Sequence, residues 1–523
     1  MPKRILGAAI GSCVHVAGVI SYLRLAENLG YQTDFMGPAV GITDIVAAAC
    51  RERPDILALS YRLSPEAARS LLNELGTALA AAGLNDIELV FGGTPPVAKI
   101  AEETTLFARV FSGEDGPAEV VAYLRGEKGG RQTATPPQTL VERVKSLAPY
   151  PLIRHHFGLP SLQDTIDGVR TIAEAKVLDI ISLGPDQNAQ FAFFRPQEMD
   201  PLQHGAGGVP VRTPADLAAL YAASRTGNYP LMRCYSGTRD LLQWAEMSRE
   251  TINNAWAAVP LCWYNALDGR SDRPPTQSIS ENLAVMAWHG ERGIPVEVNE
   301  AHHWSLREAP DVVAVAAAYL AALNAKKQGV RDYVAQYMFN TPLGTSYSND
   351  LAKMLAKRDL IESLHDDKFT SLRQVRTGLM SLSTNMNMAK GQLASSMALA
   401  LNLEPHIIHV VGYSEAQFAA SPEVVIESCQ IVHGVIRSRL HLAPDASHDP
   451  QVAARRQSLK EKATDLLQSI ARLGQGEDAL TDPAVIAKAI QVGYLDAPHL
   501  KGNRFAQGAV KTRIIDGACV AVE

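Results

Sequence analysis

Hydrophobic and polar positions follow one another in a repeating order along this chain. From "KRILGAAIG" to about Leu124, short apolar runs such as "DILALSY" and "IELVFGG" alternate with helix-period stretches such as "SPEAARSLLNELGTALAAAG". About five such βα units suit a doubly wound, Rossmann-like (flavodoxin-like) parallel sheet, whose ligand crevice lies beyond the carboxyl ends of its strands. The stretch "RGEKGGRQTATPP" is polar and ends in two prolines, so it reads as a linker. Beyond it, "VLDIISLG", "YPLMRCYSG", "VPLCWYNAL", "IPVEVNEAHHW", "DYVAQYMFN" and "HIIHVVGYSE" are strand candidates, each followed by a helical pattern. These six steps predict a (β/α)8 TIM barrel with two weaker strands unseen. The expected division is 1–125 for the first domain, 126–149 for the linker and 150–523 for the barrel with a carboxyl-terminal extension.

Composition narrows the function classes. A chain of 523 residues with 46% hydrophobic and 20% charged residues and a net charge of -6 is globular and has no basic excess for nucleic acid. No apolar run approaches the ~20 residues that span a bilayer, so neither a membrane nor a secretory route is expected and the protein reads as cytoplasmic. The six cysteines are scattered without CxxC pairs, which points to reduced thiols rather than a disulfide framework or a zinc site.

Polar residues gather where the apolar runs end. In the second half these are Arg233, Tyr264, Asn299, Glu300, His302, His303 and Glu415, on the face where a barrel carries its active site. Loops at strand ends are polar in any case, but "NEAHHW" places two histidines beside an acid. In the first half, Cys13, His15 and Gly18 form a C-x-H-x-x-G spacing between the first strand and the first helix. Ser60 and Arg62 follow the strand "DILAL", and Gly92 and Gly93 follow "IELV". Taken alone, His15 reads equally as a half-buried core histidine. Together the three loops offer a ligand base, a hydroxyl and a glycine pair that lets a ligand approach the backbone.

This order resembles the cobalamin-binding domain of base-off, His-on corrinoid enzymes, with its D-x-H-x-x-G, S-x-L and G-G elements. The resemblance implies that His15 is the lower cobalt ligand, that Ser60 bonds the nucleotide tail and that Gly92 and Gly93 line its slot. Cys13 stands where the family has aspartate, and a thiol is a poorer acceptor for the ligand histidine. Arg62 replaces the family's leucine; it reads first as a solvated arginine and second as a contact for a tail phosphate.

The second half resembles the large subunit of glutamate mutase (methylaspartate mutase), through "RCYSGTRD", "WYNALDG", "GIPVEVNE", "HIIHVVGYSEA" and the tail from "GQGED" to "DGACV". That resemblance implies an adenosylcobalamin-dependent carbon-skeleton mutase, an isomerase in which the cofactor carries the radical step and the barrel positions and shields the substrate. It also points to a homodimer. Of the three arginines that hold the family's substrate carboxylates only Arg233 matches; the other positions fall near His156 and Gln190. The family's ammonium-binding glutamate falls near Ala258, while Tyr264 matches. Glu415 corresponds to a glutamate on the cofactor ribose, but the lysine expected four residues earlier is Val411. The expected substrate is therefore a small carboxylic acid other than glutamate, with one carboxylate at Arg233 and polar contacts from His156, Gln190, Asn299, Glu300, His302 or His303. A corrinoid methyltransferase and a non-catalytic cobalamin sensor remain the alternatives.

Overall fold

The computed structural model describes residues 2–113, 115, 117–126, 136–235, 237, 239–440 and 445–523. The chain divides into two compact units: Met1–Ala134 with Leu147–Tyr150 and Arg437–Ala443, and Thr135–Ser146 with Pro151–Ile436 and Pro444–Glu523. The segment read from sequence as a linker contains a helix, Leu140–Leu147, and its residues 127–135 lie outside the described residues.

In the first unit β1 (Arg4–Ala9), β2 (Gln32–Phe35), β3 (Ile56–Tyr61), β4 (Glu88–Gly93) and β5 (Arg109–Phe111) form one parallel sheet in the order β2-β1-β3-β4-β5. This is the flavodoxin-like order, with its topological switch between β1 and β3. The central strand β3 is buried at every position, as a strand covered on both faces must be. Helices close both faces. Pro65–Ala81 shows how local chemistry sets their starts: Ser64 accepts a hydrogen bond from the Ala67 amide and proline occupies the first helical position.

The second unit holds eight parallel strands: β6 (Leu152–Phe157), β7 (Ile180–Leu183), β8 (Leu231–Cys234), β9 (Ala257–Val259), β10 (Val296–Val298), β11 (Asp332–Phe339), β12 (Thr370–Thr377) and β13 (Ile407–Val410). Their hydrogen-bonded order is β8-β7-β6-β13-β12-β11-β10-β9. The last strand pairs with the first, Ile407 opposite Leu152, so the ring is nearly closed and lacks a ladder only between β8 and β9 among the described residues. This is a (β/α)8 barrel. A two-stranded antiparallel hairpin, β14 (Lys511–Ile515) and β15 (Ala518–Val522), ends the chain.

Two of the expected strands shift. The run "VPLCWYNAL" is strand only up to Val259, and "NEAHHW" turns into the helix Ala301–Leu306 directly after β10. The two strands unseen in the sequence are β6 and β12. Both place polar side chains inside the barrel at alternate positions, so neither reads as an apolar run.

Candidate functional site

At the switch of the first sheet three strand ends lie side by side, with Ala9 opposite Ser60 and Ser60 opposite Gly92. The loop after β1 is pinned at Cys13, whose amide donates to the Ile10 carbonyl and whose carbonyl accepts from the Ala39 amide. Cys13 is fully buried, and its sulfur lies 3.9 Å from His15 Nδ1. The His15 ring itself is exposed, and Gly18 sits exposed in the first turn of the helix Ala17–Asn28. Arg62, just past β3, is exposed.

Two features here make sense as a ligand slot. Ser60 Oγ is buried and has no hydrogen-bond partner, a costly state for a hydroxyl unless something else supplies the bond. A Cβ added at Gly92 would meet nothing within 4 Å, whereas one at Gly93 would come within 3.0 Å of Val97 Cγ1 and 3.1 Å of the Tyr61 carbonyl. Gly93 is therefore a packing requirement, and Gly92 borders open space. Replacing Gly92 by leucine is expected to leave the unit folded and, by filling that space, to weaken by at least about a hundredfold the binding of the cobalamin that the sequence resemblance implies. Gly93→Ala should instead lower stability. Visible-absorbance titration with cobalamin beside thermal unfolding separates the two; cobalamin binding unchanged by Gly92→Leu would remove the slot.

The barrel carries a second site at the carboxyl ends of its strands. A cavity of about 360 Å³ is lined by Arg154 and His156 from β6, Arg233 from β8, Glu297 from β10, Gln336 from β11, Arg376 from β12 and His409 from β13. Loops add Tyr235, Tyr264, Asn299, Val411 and Glu415, and the helix Ala301–Leu306 adds His302 and His303. The anchor is Glu297, 1% exposed, whose Oε2 accepts from Trp256 Nε1 at 2.8 Å, Arg233 Nη2 at 3.2 Å and Arg154 Nη1 at 3.5 Å. Burial alone would raise its pKa, but Arg233 and Arg154, with help from Trp256, hold it below the usual carboxylate range. Arg233 is left with Nε and Nη1 buried and unpartnered. Burial lowers Arg376 to about 10, so it stays charged at neutral pH. Burial raises Glu415, against the pull of Arg376.

The histidines of the cavity are neutral. Burial, then the Arg154 and Arg233 charges, push His156 well below the ordinary value. Burial does the same for His302, His303 and His409, with neighbouring cations adding to it. The His302 and His303 rings stand 4.5 Å apart, and His303 faces Tyr264 at 5.5 Å. Among the described residues no group of three or more His, Cys, Asp or Glu side chains is arranged to hold a metal ion.

Nine barrel residues expected from the sequence thus divide unequally. Arg233, Tyr264, His156, Asn299, His302 and His303 meet in the cavity, together with Glu415. Two do not. Gln190 turns its amide to the Pro185 carbonyl at 2.7 Å. Glu300 accepts the Leu261 and Cys262 amides, each at 3.0 Å, and Trp304 Nε1 at 2.7 Å, so it ties two loops together beneath the cavity wall. Neither side chain lines the cavity. An acid beside two histidines looks chemical in sequence, but with its oxygens taken by three N–H groups it has nothing left to offer a ligand. Sequence reasoning also missed Arg154, Glu297, Gln336, Arg376 and His409. For Arg154 and Arg376 the signal is polar residues at alternate positions in "LIRHHF" and "LRQVRT", the inverse of an ordinary half-buried strand, whereas Glu297, Gln336 and His409 are single polar residues within apolar runs.

Residues 3–121 match the B12 binding domain family. The amino-terminal unit contains a B12-binding domain. Its orphaned Ser60 hydroxyl and open Gly92 fit the nucleotide tail of cobalamin, and His15 stands exposed at the same strand ends. No curated protein is significantly similar in sequence to the chain. Among solved structures, a novel cobalamin-binding protein from Desulfitobacterium hafniense DCB-2 is 25% identical over 21% of this chain and 52% of its own, with a TM-score of 0.20. This chain therefore spans about half the length of that protein. The cobalamin-dependent S-adenosylmethionine radical enzyme OxsB, with aqua-cobalamin and S-adenosylmethionine bound, is 10% identical over 94% of this chain and 75% of its own, with a TM-score of 0.20. No helix among the described residues is long and apolar enough to cross a membrane.

Proposed function

We propose that the chain is an adenosylcobalamin-dependent carbon-skeleton mutase acting on a small carboxylic acid other than glutamate. The observation that carries this reading is a B12-binding domain in the same chain as a barrel whose cavity presents a buried arginine, Arg233, with two unpartnered nitrogens. The resemblance of the barrel sequence to glutamate mutase supports the reaction class.

Adenosylcobalamin, when bound, supplies hydrogen-atom abstraction from an unactivated carbon. The chain's own residues do the rest. His15 would face the cobalt with Cys13 beside it, and Ser60, Gly92 and Gly93 would take the nucleotide tail. Arg233 and Arg376 bind a substrate carboxylate, since a guanidinium matches a planar anion and charge-assisted bonds are the strong ones. Tyr264, Asn299 and His302 orient the remainder, and a substrate seated in the cavity displaces water from it. Glu297 Oε2 already accepts from two arginines and Trp256, so a substrate ammonium would compete with them for this carboxylate, which makes glutamate the less suitable substrate.

The test is anaerobic incubation of the whole chain with 5′-deuterated adenosylcobalamin and a panel of free acids of four to six carbons, followed by mass spectrometry. Deuterium in an acid and its isomer, lost in Arg233→Gln and in His15→Ala, is the expected result. Bound cofactor with no transfer to any acid overturns the mutase reading. Demethylation of methylcobalamin would then favour methyl transfer, and binding without any turnover a sensor.

A further inference from the structure

The barrel interior contains a chain of hydrogen bonds whose direction is set at one end. Arg154 Nη1 lies 2.6 Å from Gln374 Oε1, and a guanidinium has donors only, so the facing atom of Gln374 must be its oxygen. Gln374 then presents Nε2 to Gln336 Oε1 at 3.1 Å. Gln336 has its own Nε2 left for His302 Nδ1, again at 3.1 Å. A ring nitrogen that faces an amide N–H accepts, so the single proton of neutral His302 resides on Nε2. The same logic applies across the barrel, where Arg154 Nη2 lies 3.0 Å from His156 Nε2 and leaves that ring's proton on Nδ1.

The two histidines therefore join Arg233 and Arg376 in giving the cavity a wall of hydrogen-bond donors. Its cations outnumber its carboxylates: Arg154, Arg233 and Arg376 face Glu297, whose Oε2 already accepts three N–H bonds, and Glu415, whose ionised form burial disfavours and Arg376 favours.

We propose that the Arg154–Gln374–Gln336 chain holds His302 as an Nε2–H donor, so that the cavity selects small acids whose second functional group is a carbonyl oxygen and rejects amino acids of the same skeleton. Gln336 is the positioning residue, acting through His302. The substrate class rests on the reading of this cavity as the substrate site; the tautomer does not.

Two measurements on the full chain test it without turnover. In the first, 15N chemical shifts of histidine-labelled protein report which nitrogen of each ring is protonated, with His302→Gln assigning the signal. The expected result is an unprotonated Nδ1 and a protonated Nε2. The isosteric Gln336→Glu puts a carboxylate oxygen opposite Nδ1 and should reverse that pattern while the fold is kept. A protonated Nδ1 in the unaltered chain overturns the proposal.

In the second, calorimetry compares matched five-carbon acids: 4-oxopentanoate, pentanoate and 4-aminopentanoate. Loss of the carbonyl should weaken binding about five- to tenfold, the worth of one hydrogen bond. The ammonium, unpaired beside guanidinium groups, should weaken it at least about a hundredfold. In Gln336→Glu the preference for the oxo acid over pentanoate should vanish. Equal or tighter binding of the amino acid, or no binding of any of the three, overturns the substrate class. Selective binding of an oxo acid that is never isomerised would sink the mutase reading alone, and isomerisation of an amino acid would sink this one alone.

Discussion

Lowering the pH from about 6.5 towards 4 is expected to strip most of the stability from the barrel unit. Seven of its histidines are held neutral by burial: His155, His289 and His406 with values brought down to about 4, and His156, His302, His303 and His409 pushed well below the ordinary 6.5. The unfolded chain takes up these protons near 6.5, while the folded chain resists them to about 4 or lower. The unfolded state therefore binds more protons throughout that window, and stability rises with pH across it. Their contribution is fully present above about 6.5 and is lost as the pH falls. All five tryptophans (Trp244, Trp256, Trp263, Trp288 and Trp304) lie in the barrel unit, so tryptophan fluorescence during urea unfolding reports that unit alone. The urea midpoint should drop steeply between about pH 6.5 and 4, with a slope that corresponds to several protons. A flat profile would show that these rings are already hydrated or paired in solution.

The second large effect is expected from Glu297→Ala. This substitution removes the anion between Arg154 and Arg233, both 1% exposed, and leaves two buried guanidinium groups without a counter-charge. Breaking one partner out of a buried ionic cluster costs about 3 to 5 kcal/mol, because the surviving charges keep their desolvation penalty and lose their compensation. Glu297→Gln retains an oxygen for Trp256 and should lie between the wild type and the alanine variant. The Arg233→Met, Glu297→Met pair removes one charge of each sign, so its loss should be smaller than the sum of the single losses. Urea unfolding followed by fluorescence measures all four. A loss under about 1 kcal/mol for Glu297→Ala would mean that water or a neighbouring acid already compensates the arginines.

The sequence was most legible where local periodicity carries the information. The strands β1, β3 and β4 and the helix Pro65–Ala81 follow directly from alternating apolar runs and a Ser-Pro start. In the barrel, β7, β8, β11 and β13 read the same way. The strands β6 and β12 did not, because they turn polar side chains into the barrel, and the usual rule that links apolar positions to the interior then fails. Those two strands hold Arg154, Gln374 and Arg376, so part of the barrel's polar interior was hidden with them.

The sequence by itself determined the alternating βα architecture, the C-x-H-x-x-G, serine and glycine-pair spacing at successive strand ends, and the arginine and histidines clustered after the later strands. These are readable because each depends on residues near one another in the chain. Only the tertiary structure decided which polar groups meet. Gln374 reaches Arg154 across 220 positions, and Glu297 reaches the same guanidinium across 143. Glu300, adjacent to the histidines in sequence, is turned to the Leu261 and Cys262 amides instead. Closure of the barrel brings distant strands together and selects by inward or outward direction, and a pairing made through space leaves no period in the chain from which it can be read.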